Sequence, residues 1–254
     1  MRLPALILTV TTGFLSLLPR QAPAATPVQP DVKTVVRVMD NLYRSTTSIG
    51  RMELTAKTET QTRRLSMRIW TKGTEKTLVV IDAPAREAGN ATLKVGNNLW
   101  NYIPNISRTI RIPPSMMLSP WMGTDFTNDD LVKGSTYAQD FDTRIEGRSA
   151  NPAGWLVAMR VRPGVVGRWQ KIEWIINDEA TLPILGRYYD LKGRLARTMM
   201  FSEVKNLGGR LMPTHMTLES VDQPGHKTEI HYLDMKFDAP VPDDLFSLSQ
   251  LERQ

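Results

Sequence analysis

Three histidines, His215, His226 and His231, are the side chains of this sequence best suited to acid–base or metal chemistry. His226 and His231 are five positions apart, which places them on opposite faces of a β-strand. None of the three lies in a motif with metal-ligand or catalytic spacing. We therefore expect no metal site and no catalytic histidine, and we interpret all three as surface residues of a sheet.

The segment TDFTNDD, residues 124–130, holds three aspartates and an asparagine that could offer oxygen ligands to calcium. A calcium loop needs glycine at its sixth position and an acidic residue at its twelfth. Counted from Asp125, those positions hold Asp130 and Thr136, so the pattern does not fit. Capping and turn formation explain the cluster better, with a short helix around residues 127–132.

The sequence contains no cysteine, which excludes zinc–thiolate sites, cysteine nucleophiles and disulfides. It also lacks a glycine-rich phosphate loop and the Gly-x-Ser-x-Gly motif of many hydrolases. We expect a protein without catalytic residues and without a cofactor. A lipid hydrolase is an alternative for which the sequence offers no recognisable pair of nucleophile and base.

The N-terminus has the pattern of a secretory signal peptide. Arg2 precedes an apolar run over residues 3–18, and small residues follow at Ala22 and Ala24. The alternative is a membrane anchor, but the run is short and is interrupted by Pro4 and Gly13. We expect residues 1–24 to be removed, which leaves residues 25–254 as one exported domain and lowers the net charge from +6 to +4.

Alternation of apolar and polar residues predicts a mainly β protein. Residues 31–45 show apolar spacings of three and four, typical of an amphipathic helix. Almost every later segment alternates with a period of two between turns, with about eleven strands in all. Because no helical crossovers separate the strands, we expect a single curved antiparallel sheet. The tail at 240–254 is expected to form a short helix or turn that seals an edge.

An apolar, irregular segment interrupts the strand pattern at residues 113–123, PPSMMLSPWMG. Methionine is flexible and polarizable, so it suits cargo of variable shape. The segment is interpreted either as a lid over an apolar cavity or as a permanent plug of the core. The candidate lid residues are Met116, Met117, Leu118, Trp121, Met122 and Phe126. Alternation gives the candidate cavity walls as Met52, Leu54, Leu65, Met67, Trp100, Tyr102, Trp174, Met199 and Phe201.

From residue 31 to the C-terminus, the sequence resembles the outer-membrane lipoprotein-sorting protein family of the LolA-like superfamily. The most specific match is MGTDFTNDDL, Met122–Leu131, supported by YYDLKG at Tyr188–Gly193 and by LFSLSQL near the C-terminus. The resemblance implies an incomplete antiparallel barrel whose mouth is plugged by helices. The lid arginine of known carriers has no matching motif here.

The resemblance also implies a function. We expect a monomeric periplasmic carrier or chaperone that binds the acyl chains of lipids or lipoproteins and contacts membranes only during transfer. An inner-membrane transporter is an expected partner, and nucleic acid is not. The alternative is an accessory module that carries no lipid and docks a membrane transporter through its basic strand faces.

Overall fold

Thirteen antiparallel strands form one curved, unclosed sheet in the computed structural model, which describes residues 28–133 and 137–253. The strands of the first half are β1 Thr47–Lys57, β2 Thr62–Lys72, β3 Lys76–Ala83, β4 Ala91–Val95, β5 Asn98–Ile103 and β6 Arg108–Arg111. Those of the second half are β7 Phe141–Ala150, β8 Ala153–Val161, β9 Lys171–Ile176, β10 Pro183–Tyr189, β11 Leu195–Leu207, β12 Arg210–Ser220 and β13 Lys227–Phe237. The predicted signal peptide lies outside the described residues.

The topology places the opening of the barrel at one defined point. Neighbours in sequence are neighbours in the sheet, and β1 pairs with β13, so the only free edges of the described sheet are β6 and β7. Residues 112–133 and 137–140 lie between these two edges in sequence and therefore cross the mouth. The prediction of a mainly β incomplete barrel is confirmed. The sheet has thirteen strands where about eleven were expected.

The described part of the chain also contains four short α-helices: α1 Val32–Asn41, α2 Asn128–Lys133, α3 Tyr137–Asp140 and α4 Leu248–Leu251. Asp31 caps α1 by accepting a hydrogen bond from the Thr34 amide at 2.9 Å. The predicted helix over 31–45 is shorter at its C-terminal end, whereas that over 127–132 is displaced by one residue. None of the helices in the described residues is long and apolar enough to cross a membrane.

The concave face of the sheet holds the main core. The alternation in β1 is confirmed, because Met52 and Leu54 are buried while Arg51 and Glu53 are exposed. Three residues of α1, Val35, Val36 and Met39, are buried against this face. The helix therefore fills part of the hollow that the curved sheet creates.

A second, smaller core lies on the convex face. In β3, Val79 belongs to the main core, whereas Leu78 and Val80 contact Phe246 and Leu251 of the C-terminal segment. Coverage on both sides explains why β3 is a continuous apolar run rather than an alternating one. The tail was expected to seal an edge; it lies mainly over the outer face of β3 and β4 and contacts the edge strand β6 through Thr109, whose hydroxyl donates to Glu252 at 2.7 Å.

Candidate binding cavity

The concave face, α1 and the segment that crosses the mouth enclose a cavity of about 240 Å³. Its lining is mostly apolar and comes from both halves of the sheet. Methionine is the most distinctive component, since six methionines from α1, β1, β2, β11, β12 and β13 reach the cavity. These are Met39, Met52, Met67, Met199, Met216 and Met235.

Aromatic rings form one wall of the cavity. The Trp174 ring lies 5.3 Å from that of Phe201 and 5.5 Å from that of Tyr137, in tilted and edge-on contacts. The ring of Trp169 lies 5.2 Å from that of Tyr188. Burial raises the pKa of Tyr188 to about 12, so its hydroxyl stays protonated and the wall remains uncharged. Such a wall is rigid, whereas the methionine side chains of the lining can adapt.

A buried ion pair lies at the edge of the aromatic wall. Arg197 is 1% exposed and donates from Nη2 to Asp130 Oδ2 at 2.9 Å, with its guanidinium 4.6 Å from the centre of the Trp169 ring. Burial acts to raise the pKa of Asp130, but the charge of Arg197 and hydrogen bonds from Thr127 hold that pKa below its ordinary value. The positive charge of Arg197 is thus neutralised within the protein.

The mouth-crossing segment is fixed to several strands by polar contacts. Trp121 is buried and donates from Nε1 to Thr92 Oγ1 on β4 at 3.0 Å. The Asp125 carboxylate accepts a hydrogen bond from Thr228 on β13 at 2.7 Å and another from Ser220 on β12 at 3.1 Å. These contacts join both halves of the sheet across the opening.

The opposite end of the cavity is polar. The hydroxyls of Ser48 and Thr71 share a hydrogen bond of 2.5 Å, and Arg44 Nη1 donates to Thr77 Oγ1 at 3.1 Å. Lys94 is 3% exposed, and its ammonium donates to the Thr74 carbonyl. Burial and the nearby charge of Arg44 lower the pKa of Lys94 to about 8, although Glu75 acts in the other direction.

The structure brings together about half of the residues predicted from the sequence. Eight of them line the cavity: Met52, Leu54, Met67, Trp121, Phe126, Trp174, Met199 and Phe201. Leu65 is buried in the same core without lining the cavity, and Met122 packs against that core. Met116 and Leu118 are 48% and 54% exposed, and Met117 is half-buried outside the lining.

Two predicted wall residues face the wrong side of the sheet. Trp100 and Tyr102 pack on the convex face against the smaller core, whereas their neighbour Leu99 lines the cavity. For β5, the alternating residues were therefore assigned to the wrong faces of the sheet. The C-terminal segment covers the convex face at this point, so large aromatic side chains are buried there as well.

Sequence reasoning missed the charged residues that line the cavity, among them Arg44, Lys94, Asp130, Arg168 and Arg197. A signal existed for Arg197, because it alternates with the predicted wall residues Met199 and Phe201 on β11. The sequence offered no such signal for Lys94, because no wall residue was predicted on β4.

One group of potential metal ligands lies on the convex face. The pairing of β12 with β13 stacks the rings of His215 and His231 at 4.0 Å, and donor atoms of these residues and Glu203 lie within 4.8 Å of one another. The Glu203 carboxylate is also bound by Lys205 at 2.7 Å. The cluster is remote from the cavity because Met216 and Ile230, the next residues along, point to the other face.

Comparisons with known proteins identify the fold. A family model described as "Uncharacterized protein" matches residues 73–253. A DUF1329 family protein from Desulfovibrio piger is 22% identical, with a TM-score of 0.75 over 87% of this chain and 98% of that one. A LolA superfamily protein from Nitrosomonas europaea is 21% identical, with a TM-score of 0.73 over 87% and 100% of the two chains.

A putative outer membrane lipoprotein-sorting protein domain from Vibrio parahaemolyticus is 20% identical, with a TM-score of 0.69 over 82% of this chain and 92% of that one. None of the curated proteins matches the sequence significantly. At these identities the structures show a common fold, and this fold is LolA-like, as the sequence motifs predict.

Proposed function

Since the chain belongs to the family whose model spans residues 73–253 and has the LolA-like fold, we propose that it is a periplasmic carrier of acyl chains. Its cargo would be a lipid or the acyl chains of a lipoprotein. The chain would act without catalysis or a cofactor, as a monomer that meets membranes and an inner-membrane transporter only during transfer. Residues 1–24 would serve as the export signal and residues 25–254 as the carrier domain.

The observation that supports this proposal is the apolar cavity on the concave face. An ordinary sheet core is filled by its own side chains, whereas this one retains about 240 Å³ lined by methionines and aromatic rings. Methionine side chains rearrange around ligands of different shape at little cost. The lining therefore suits hydrocarbon chains of variable length better than a ligand with a fixed polar pattern.

The hydrophobic effect provides enough free energy for such a carrier. Each CH₂ group removed from water contributes about 0.8 kcal/mol, so a C16 chain gains roughly 12 kcal/mol on full burial. A membrane offers a similar gain. Transfer in either direction then depends on how much free energy is needed to open the cavity.

The size of the cavity indicates that its plug must move. Ligand pockets usually measure about 300–1,000 Å³, so 240 Å³ is small for a complete acyl chain. The buried indole of Trp121 occupies the mouth between the two halves of the sheet. Withdrawal of this side chain would enlarge the cavity and open a route for the chain, which makes the crossing segment a lid in this proposal.

Native mass spectrometry of the protein purified from its own host tests the proposal. Co-purified lipid supports a carrier, whereas an empty chain that binds the periplasmic domain of a transporter supports the accessory module instead. A second test measures the affinity of a fluorescent fatty acyl probe. Trp121→Asp should weaken binding at least about tenfold, because it places a carboxylate at the apolar mouth.

Trp70→Asp is the matched control, since Trp70 packs on the convex face with the smaller core. It should leave the affinity for the probe unchanged in folded protein. Equal affinities of the two variants would show that the mouth-crossing segment is not part of the binding site.

A further inference from the structure

A row of polar side chains crosses one end of the concave face. The strand registers pair Ser48 with Thr71, Thr71 with Thr77, and Thr77 with Lys94, so four neighbouring strands each contribute one member. All four residues are buried and line the cavity. The cavity therefore has one polar end, whereas the rest of its lining is mostly apolar.

One cation, Lys94, belongs to this row, and a second, Arg44, contacts it. Arg44 follows α1 and donates to the Gly73 carbonyl at 3.4 Å as well as to Thr77. Lys94 donates to a main-chain carbonyl, which leaves two of its three N–H donors available. Within residues 28–133 and 137–253, neither cation forms an ion pair with a carboxylate, although Asp40 and Glu75 are near enough to affect their pKa values.

The two ends of the cavity differ in how their cations are paired. At one end, Arg197 is paired with Asp130 at 2.9 Å, and the charges of Asp130, Asp222 and Asp125 act on Arg168, whereas the cations at the other end donate only to neutral oxygens. A buried cation without a counter-ion is costly, and an anion brought by a ligand would remove that cost. Charge-assisted hydrogen bonds to such an anion are also stronger than those to a neutral group.

We propose that Arg44, Lys94 and the hydroxyls of the polar row bind the anionic head group of an amphiphile whose hydrocarbon chain lies in the methionine-lined cavity. This inference rests on the proposed carrier function and specifies its ligand class. The head group would be a carboxylate or a phosphate, which both accept hydrogen bonds from ammonium, guanidinium and hydroxyl donors.

The layout of β1 gives the direction of the bound chain. Ser48 marks the polar end, and Met52 and Leu54 lie four and six positions further on and also line the cavity. At about 3.3 Å per residue, the distance from Ser48 to Leu54 is roughly 20 Å. The hydrocarbon chain would therefore run along β1, away from the cations.

The ionisation of Lys94 makes the binding dependent on pH. Burial lowers its pKa to about 8, with Arg44 acting in the same direction and Glu75 against it. A bound anion favours the charged ammonium, so binding above that pH requires uptake of a proton. The affinity for an anionic amphiphile should fall as the pH rises from 7 to 9.5, whereas that for a neutral one should not.

Binding of palmitate and of hexadecanol to the full chain distinguishes the head group from the hydrocarbon chain. The wild-type protein should bind palmitate at least about tenfold more tightly than hexadecanol. Lys94→Met should remove that preference and its pH dependence, while the affinity for hexadecanol stays within about threefold. Lys192→Met, in an exposed turn, should behave as the wild type.

The outcomes separate this inference from the proposed function. If hexadecanol binds and Lys94→Met retains the full preference for palmitate, the cationic site is refuted while the carrier function stands. If neither compound binds to folded protein, the carrier function itself is refuted, and the head-group site with it. Displacement of palmitate by millimolar inorganic phosphate would also refute it, because it would indicate a free-anion site rather than a head-group site.

Discussion

Replacing Met199 by glutamine tests whether ligand contacts the concave face of β11. Met199 is 7% exposed and lines the cavity, and its sulfur accepts a hydrogen bond from the Tyr188 hydroxyl at 3.9 Å. Glutamine has nearly the same shape as methionine but adds an amide. The carbonyl oxygen of that amide can replace the sulfur as acceptor, which leaves the NH₂ group pointing into an apolar site.

The expected loss of affinity follows from the desolvation of that NH₂ group. In the free protein, water entering the cavity can bond to it, but a hydrocarbon chain cannot. Burying an amide without a partner costs about 1–3 kcal/mol on the scale of protein mutations. At 1.4 kcal/mol per factor of ten, the dissociation constant of a fatty acyl probe should rise by about 5- to 140-fold.

The adjacent residue provides the control, because Met200 is 56% exposed on the opposite face of the same strand. Met200→Gln should leave the affinity unchanged, and Met199→Leu, which restores an apolar side chain, should recover most of it. Affinities are measured by fluorescence titration, with thermal unfolding to verify that each variant is folded. If Met199→Gln and Met200→Gln bind the probe equally well, the concave face is not the binding surface.

Three further predictions follow from the contacts of the mouth-crossing segment and of the smaller core on the convex face. Asp130→Asn should lower the free energy of unfolding by about 3–5 kcal/mol because it leaves a buried cation unpaired, whereas Asp142→Asn, in an exposed ion pair, should cost at most about 1 kcal/mol in denaturant titrations. Phe246→Ala should destabilise the fold by about 3–5 kcal/mol without changing probe affinity, and a parallel loss of affinity in folded protein would argue against two separate cores. Asp125→Cys combined with Thr228→Cys should form a single disulfide, since this chain has no other cysteine and the two side chains are in contact at 2.7 Å. Oxidation should slow the uptake of the probe, and reduction should restore its rate. Equal rates in the two states would mean that the mouth-crossing segment need not detach from β13 for the probe to enter.

The fold could be predicted largely from the sequence because its main determinant is local. A period of two along β1 or β11 fixes which residues are buried, and turns fix where the strands end. The error at Trp100 and Tyr102 arose because alternation assigns two faces without saying which is concave. The C-terminal segment that buries them is about 150 residues away in sequence, and only the folded chain shows that contact.

The binding site was harder to predict because its chemistry depends on strand register. Three methionines close together in sequence, at 116, 117 and 122, suggested a lid, yet the methionines that line the cavity come from six separate elements, and only Met52, Met67 and Met199 of these were predicted. Lys94 gives no signal by itself, since a lysine in a strand usually faces water. Its position beside Thr77 follows only from the pairing of β3 with β4.

Methyl resonances of ¹³C-labelled methionine offer the most direct test of the central claim, which is that an acyl chain occupies the concave face. On titration with palmitate, the account predicts that the methyl signals of the cavity methionines shift together, including those of Met52, Met199 and Met216. The signal of Met200, which is exposed on the opposite face of β11, should stay in place in the same spectra. Saturable binding that shifts only the exposed methyls, or none of those in the cavity, would contradict it.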